Sequence, residues 1–272
     1  MSTVRMTAAS VRFAVGLLFA ICFTAVQAAP RVDVVSIDLN PLIDRAVKSP
    51  TRFAVDIPHA ASPSTAGDWS TSNDLSIWTY SARIPGAVSM SFHATRASLP
   101  ESATLTVTAN GVRYVYTADD TRTGEIWSRI GRGDSLAFEL RVRPKDAARV
   151  QLDIASLQAG YRGFGVGVRN HPHYDEIRKQ SLAMTQELAS CSENWSCQIT
   201  ATNKGPGEAT AALVVGGVGQ CTGVLLNNAR GDGTPYMLTA RHCENGDSDG
   251  GSPYSAGSIR VYWNAVSACV VT

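Results

Sequence analysis

Between residues 31 and 160 apolar and polar positions alternate with a period of two, the repeat of a strand that buries one face. Val88, Met90, Phe92 and Ala94 alternate with Ser89, Ser91 and His93, which predicts a half-buried strand. Leu105 and Val107 alternate with threonines from Thr104 to Thr108, and Val112 to Tyr116 follows after Asn110-Gly111. Asn-Gly between two such runs predicts a tight hairpin, because both residues tolerate the positive φ that a type I′ turn demands. Leu136, Phe138, Leu140 and Val142 alternate with Ala137, Glu139, Arg141 and Arg143, and Val150, Leu152 and Ile154 form a further run. Short strands separated by turn signals predict a β-sandwich.

The pattern changes after residue 190 but stays strand-like. Ala211 to Val215 is an apolar run suited to a barrel strand, and it ends in Gly216-Gly217-Val218-Gly219. Gln220 to Asn228 is a second run carrying Cys221. Tyr236 to Leu238 is the buried end of a third, followed by Thr239-Ala240-Arg241-His242-Cys243. Between them, Ala229 to Pro235 is dense in turn formers. The simplest geometry is two neighbouring antiparallel strands, with Cys221 and Cys243 close enough to bridge and the loop carrying His242 pinned. Ser258 to Trp263 alternates cleanly and predicts the last strand. The expected fold class is therefore all-β.

The first residues follow a different rule. Arg5 and Arg12 precede the apolar stretch Val15 to Phe23, and Val26-Gln27-Ala28 offers a small-residue cleavage site. Residues 1–28 are expected to be a signal peptide, since the apolar stretch is short of the roughly twenty residues of a span. Cys22 leaves with it, and the other five of the six cysteines all lie after residue 190. That break separates a β-sandwich-like region, 29–160, from a cysteine-bearing one, 191–272, with 161–190 as linker and processing region. The polar stretch Tyr174 to Leu188 includes Arg178 and Lys179, and a processing site is expected between this stretch and Cys191.

A formal net charge of +1 gives no argument for nucleic acid or for an anionic membrane. Gly160 to Gly167 is a glycine-rich exit with no βαβ unit behind it, so it is not a nucleotide loop. His171-Pro172-His173 lacks a second histidine motif at zinc-site spacing and is a polar junction. Cys191 and Cys197 stand too far apart for a zinc knuckle, and export favours disulfides. No metal or cofactor is implied. Trp69, Trp78 and Trp127 are expected to pack in the core and between strands, the commoner fate of such residues, although sugar-binding modules expose aromatics.

Cys221-Thr222-Gly223-Val224-Leu225-Leu226-Asn227-Asn228 and Tyr236-Met237-Leu238-Thr239-Ala240-Arg241-His242-Cys243 carry a resemblance. They resemble the first half of a chymotrypsin-fold serine protease, in the lysyl endopeptidase branch of secreted bacterial proteases, over roughly residues 191 to 272. The resemblance implies that His242 is the catalytic histidine and that the 191–272 region is an incomplete chymotrypsin-like domain, its first β-barrel. It implies disulfides Cys221–Cys243 and Cys197–Cys269, leaving Cys191 unpaired in this chain. Residues 29–160 would be a pro-region, a folding assistant or latency domain for its own protease domain.

In that family order an aspartate and then a serine follow the histidine. After His242 the acidic residues are Glu244, Asp247 and Asp249, all within seven positions. Gly246-Asp247-Ser248-Asp249-Gly250-Gly251 mimics a nucleophile motif, but Asp249 puts a carboxylate where a glycine should let the backbone approach an oxyanion. The expectation is a truncated precursor of a secreted serine endopeptidase. It would act on polypeptide, after lysine by resemblance, and be inactive as given. The alternative is a non-enzymatic secreted β protein that binds carbohydrate or protein and carries a relic protease fragment.

Overall fold

In the computed structural model residues 31–45, 52–162, 199–244 and 254–263 are described. The expected signal peptide, the junction with His171, His173, Arg178 and Lys179, and Cys191, Cys197, Cys269, Ser248 and Asp249 lie outside them. The chain is all-β. Its strands are β1 (Val32–Val34), β2 (Ala54–Ala61), β3 (Asp68–Ser72), β4 (Leu75–Arg83), β5 (Ser89–Ser98), β6 (Thr104–Ala109) and β7 (Val112–Tyr116). They continue with β8 (Ile126–Trp127), β9 (Gly131–Arg132), β10 (Ser135–Val142), β11 (Gln151–Gly160), β12 (Thr210–Val215), β13 (Gly219–Leu226), β14 (Tyr236–Thr239) and β15 (Arg260–Trp263). Among the described residues no helix is long and apolar enough to cross a membrane.

The first eleven strands form two sheets. One runs β1-β4-β10-β6-β7, with β3 also on β4; the other runs β2-β11-β5-β8, with β9 also on β5. The edge of β4 is shared, since β3 covers Leu75 to Thr79 and β1 covers Ser81 to Arg83. The sheets stack face to face over one core. Phe92 of β5 meets Phe138 of β10 edge to face, ring centroids 5.1 Å apart, the arrangement a ring quadrupole favours. Leu136, Phe138, Leu140 and Val142 all point inward and are buried, each contributing roughly 1.5–3 kcal/mol. The predicted hairpin joins β6 to β7, with Asn110 at φ 45° and Gly111 at φ 78°.

One expectation fails informatively. β5 is not half-buried, for Ser89 and Ser91 are buried as well. The Ser91 hydroxyl donates to Gln158 Oε1 at 2.9 Å, and Gln158 Nε2 donates to Asp56 Oδ1 at 2.8 Å and to Ser156 Oγ at 3.0 Å. This polar row lies on the outer face of the second sheet and is covered by the glycine turn that joins β12 to β13. A Cβ on Gly217 would stand 2.9 Å from Gln158 Cγ. The polar positions face an interface instead of water.

The third sheet is antiparallel throughout, ordered β14-β13-β12-β15. The N–H groups of Phe53 and Ala54 both donate to the Val218 carbonyl, at 3.0 and 3.3 Å, fastening it to the sandwich. Phe53, Ala54, Val214 and Val218 form a small core of their own there, flanked by Ile130, Tyr254 and Tyr262. The last strand starts later than its alternation suggests. Ala256 to Ser258 is a turn of 3-10 helix, because the Ser258 hydroxyl donates back to the Ser255 carbonyl at 2.7 Å. At the other boundary β11 runs through Gly160, and Tyr161 and Arg162 beyond it are still buried.

Candidate active site

The site is built on the β13–β14 pair. Register is set by Gly223↔Thr239, Val224↔Leu238, Leu225↔Met237 and Leu226↔Tyr236. Gly223 lies under two side chains: a Cβ there would meet Met237 Sδ at 2.7 Å and Leu213 Cδ1 at 2.9 Å. At the far end the connecting loop is organised by Asn228. Its Oδ1 accepts from the N–H groups of Arg230 and Gly231, at 2.9 and 3.0 Å, and its Nδ2 donates to Asp232 Oδ1 at 2.8 Å. The Thr234 N–H donates to the same carboxylate and holds Asp232 below the ordinary carboxylate range.

At the near end β14 stops at Thr239, whose hydroxyl donates to the Thr222 carbonyl of β13 at 2.8 Å. Ala240 is extended, and Arg241–Cys243 then makes one turn of 3-10 helix, closed by Cys243 N–H to Ala240 O at 3.0 Å. Cys243 is buried and joined to Cys221 of β13, Cα to Cα 5.9 Å, across 22 residues. In the chain-entropy model closing a loop of that length is worth on the order of 3 kcal/mol. Beyond the turn, Tyr254 N–H donates to Glu244 O at 2.7 Å, and its ring lies against Gly216.

Such anchoring leaves His242 on a short turn fixed at both ends. Its side chain is exposed, and among the described residues no side chain is hydrogen-bonded to the ring. A ring nitrogen and the two sulfurs lie within 4.8 Å of one another. That trio is not a metal-ligand set, because metals take the thiolate and both sulfurs are bound to each other. Of the sequence-derived site residues the structure thus brings together His242, Cys221 and Cys243; Cys191, Cys197 and Cys269 lie outside the described residues.

Residues 185–271 match the family profile described as lysyl endopeptidase, C-terminal domain. That segment is lysyl endopeptidase-like. It takes in β12 to β15, the disulfide and His242, and spans about a third of the chain. Among solved structures, the insecticidal crystal protein Cry2Aa aligns at 14% identity over 39% of this chain and 21% of its own, with a TM-score of 0.21. At that score the likeness carries no argument.

Sequence reasoning missed how the lysyl endopeptidase-like sheet is held. Arg260 Nε donates to the Trp127 carbonyl, and the Ile130 N–H donates to the Tyr262 hydroxyl oxygen at 2.9 Å. Burial lowers the pKa of Arg260 and raises that of Tyr262. Trp127 is stacked on His93 at 3.6 Å between ring centroids, and both bond the Glu125 carboxylate. The signal available was the polar outer row of β5 and β11, which has the same pattern as a solvated face.

Proposed function

We propose that this protein is the precursor of a secreted bacterial serine endopeptidase, with His242 as general base and the 31–162 sandwich as the pro-region seated on its own protease domain. The observation that carries the reading is an exposed imidazole on a single turn, tied by Cys221–Cys243 to strands that match the lysyl endopeptidase profile. A disulfide beside the base serves catalysis because a general base must be held within a fraction of an ångström of its proton donor. In serine-dependent hydrolysis the imidazole takes the hydroxyl proton as the serine oxygen attacks the scissile carbonyl. It then returns that proton to the leaving amine.

Polypeptide is the proposed substrate, cleaved after lysine by analogy with the lysyl endopeptidases. The chemistry uses no metal or cofactor. Val224, Leu226, Tyr236 and Leu238 lie on one face of β13 and β14 and are exposed. An apolar row of this kind marks an interaction surface, in keeping with a protease barrel that packs against another part of the enzyme. Residues 1–28 would direct export and be removed.

Among the described residues neither a serine hydroxyl nor a carboxylate is bonded to His242. Asp249 stands next to Ser248 where a nucleophile motif needs a glycine, so residues 1–272 are expected to leave lysyl and arginyl amide substrates intact, and His242→Ala to be equally silent. Turnover abolished by His242→Ala would overturn that expectation and make Ser248 the first suspect as nucleophile.

A further inference from the structure

The inward face of the first sheet is not apolar along its whole length. Trp69 of β3 stands opposite Trp78 of β4, and Thr71 stands opposite Ser76, so all four share one face. Trp78 enters the core and is fully buried, but Trp69 is 42% exposed. Its ring is nonetheless fixed, since Nε1–H donates to the Pro63 carbonyl at 2.8 Å. Beside it lies an open concavity of about 650 Å³, whose lining includes Trp69, Thr71 and Ser76 together with Arg96 and Asp153. Arg96 of β5 donates from Nε to Asp153 Oδ2 of β11 at 2.6 Å.

A sheet face that only sealed the core would place aliphatic side chains where Trp69, Thr71 and Ser76 stand. The sequence instead places a flat aromatic face and hydroxyls there, beside the exposed Arg96–Asp153 ion pair at the edge of the concavity. We propose that this cleft binds a neutral oligosaccharide, with the Trp69 indole as stacking platform and the Arg96–Asp153 pair as the group that grips sugar hydroxyls. The negative face of the indole attracts the C–H groups of one pyranose face. The hydroxyls of Thr71 and Ser76 both donate and accept, as sugar hydroxyls do. The ion pair cancels its own charge while offering guanidinium donors beside a carboxylate acceptor, which suits adjacent hydroxyls and gives no preference for an acidic sugar. Few polar groups converging beside an aromatic wall is the usual make-up of a small-ligand site. The site lies on the sandwich and does not involve His242, so it stands or falls apart from the peptidase reading.

The test is calorimetric titration of the whole chain with cellohexaose, xylohexaose, mannohexaose and chitohexaose, alongside Trp69→Ala, Trp69→Phe and Arg96→Ala. At least one saccharide is expected to bind, Trp69→Ala to weaken it about tenfold, and Trp69→Phe, which keeps a flat ring, to retain most of the affinity. Should Trp69→Ala fail to fold, loss of binding in the exposed Arg96→Ala variant gives the same answer. Absence of binding to all four at millimolar concentration overturns the proposal. So does undiminished affinity in Trp69→Ala or, where that variant does not fold, in Arg96→Ala.

Discussion

The Ile130 N–H, on the sandwich, donates to the Tyr262 hydroxyl oxygen on β15 at 2.9 Å. This bond crosses between two stretches of chain more than a hundred residues apart and sits beside the small Phe53–Val218 core. Tyr262→Phe keeps the ring and removes the acceptor, leaving a part-buried donor unmet. A loss of about 1–3 kcal/mol is expected in urea unfolding. A loss within error would mean that the sheet is held by the apolar contacts alone.

Gly217 makes the sharper test of the same interface. It sits at φ 70°, and a Cβ there would press on Gln158, whose amide is already bonded to Ser91, Asp56 and Ser156. Gln158 cannot swing away without breaking those bonds. Gly217→Ala should therefore cost about 2–5 kcal/mol, from strain and overpacking together. Gly231 has φ 62° but open space around it. Gly231→Ala carries only the backbone part, about 1–2 kcal/mol, and thermal melts of the two variants should rank in that order.

Much of this architecture is legible in the sequence because strands with one buried face declare themselves. The alternation over Leu136 to Val142 and the Asn110-Gly111 turn both state local geometry directly. The Cys221 and Tyr236 runs do so as antiparallel neighbours. What stayed hidden is long-range. Ser91 and Gln158 have the pattern of a solvated face, and nothing local tells a face wetted by water from one covered by a glycine turn. Trp69 and Trp78 look alike in sequence, yet Trp78 on β4 fills the core and Trp69 beside it on β3 is 42% exposed, a difference no local pattern announces. The role proposed for His242 rests on its flanking residues, since its exposed side chain leaves no packing signature.

Cys221→Ser combined with Cys243→Ser should lower stability by on the order of 3 kcal/mol, from loss of the cross-link. His242→Ala should change it by less than about 0.5 kcal/mol, because the ring is exposed and unbonded among the described residues. Chemical denaturation of both variants checks the pair. A large loss in His242→Ala would assign the histidine a structural role.

Alkaline pH offers an independent probe of the sandwich. Burial pushes the Tyr116 hydroxyl up to about 12, from an ordinary 10. The folded state then keeps a proton that the unfolded chain gives up. Stability should be fully present below pH 10 and fall between pH 10 and 12, by on the order of 2–3 kcal/mol from this group. Burial also raises Tyr262, which deepens the decline. Urea midpoints across that window should fall more shallowly in Tyr116→Phe than in the parent chain. Equal slopes would remove Tyr116 as the cause.

The most direct test of the peptidase assignment is lysyl amide hydrolysis by the processed enzyme as its own host secretes it, with and without His242→Ala. The account predicts turnover that falls by about a thousandfold or more in the variant, with folding unchanged. No turnover by the parent, or turnover indifferent to His242, would contradict it.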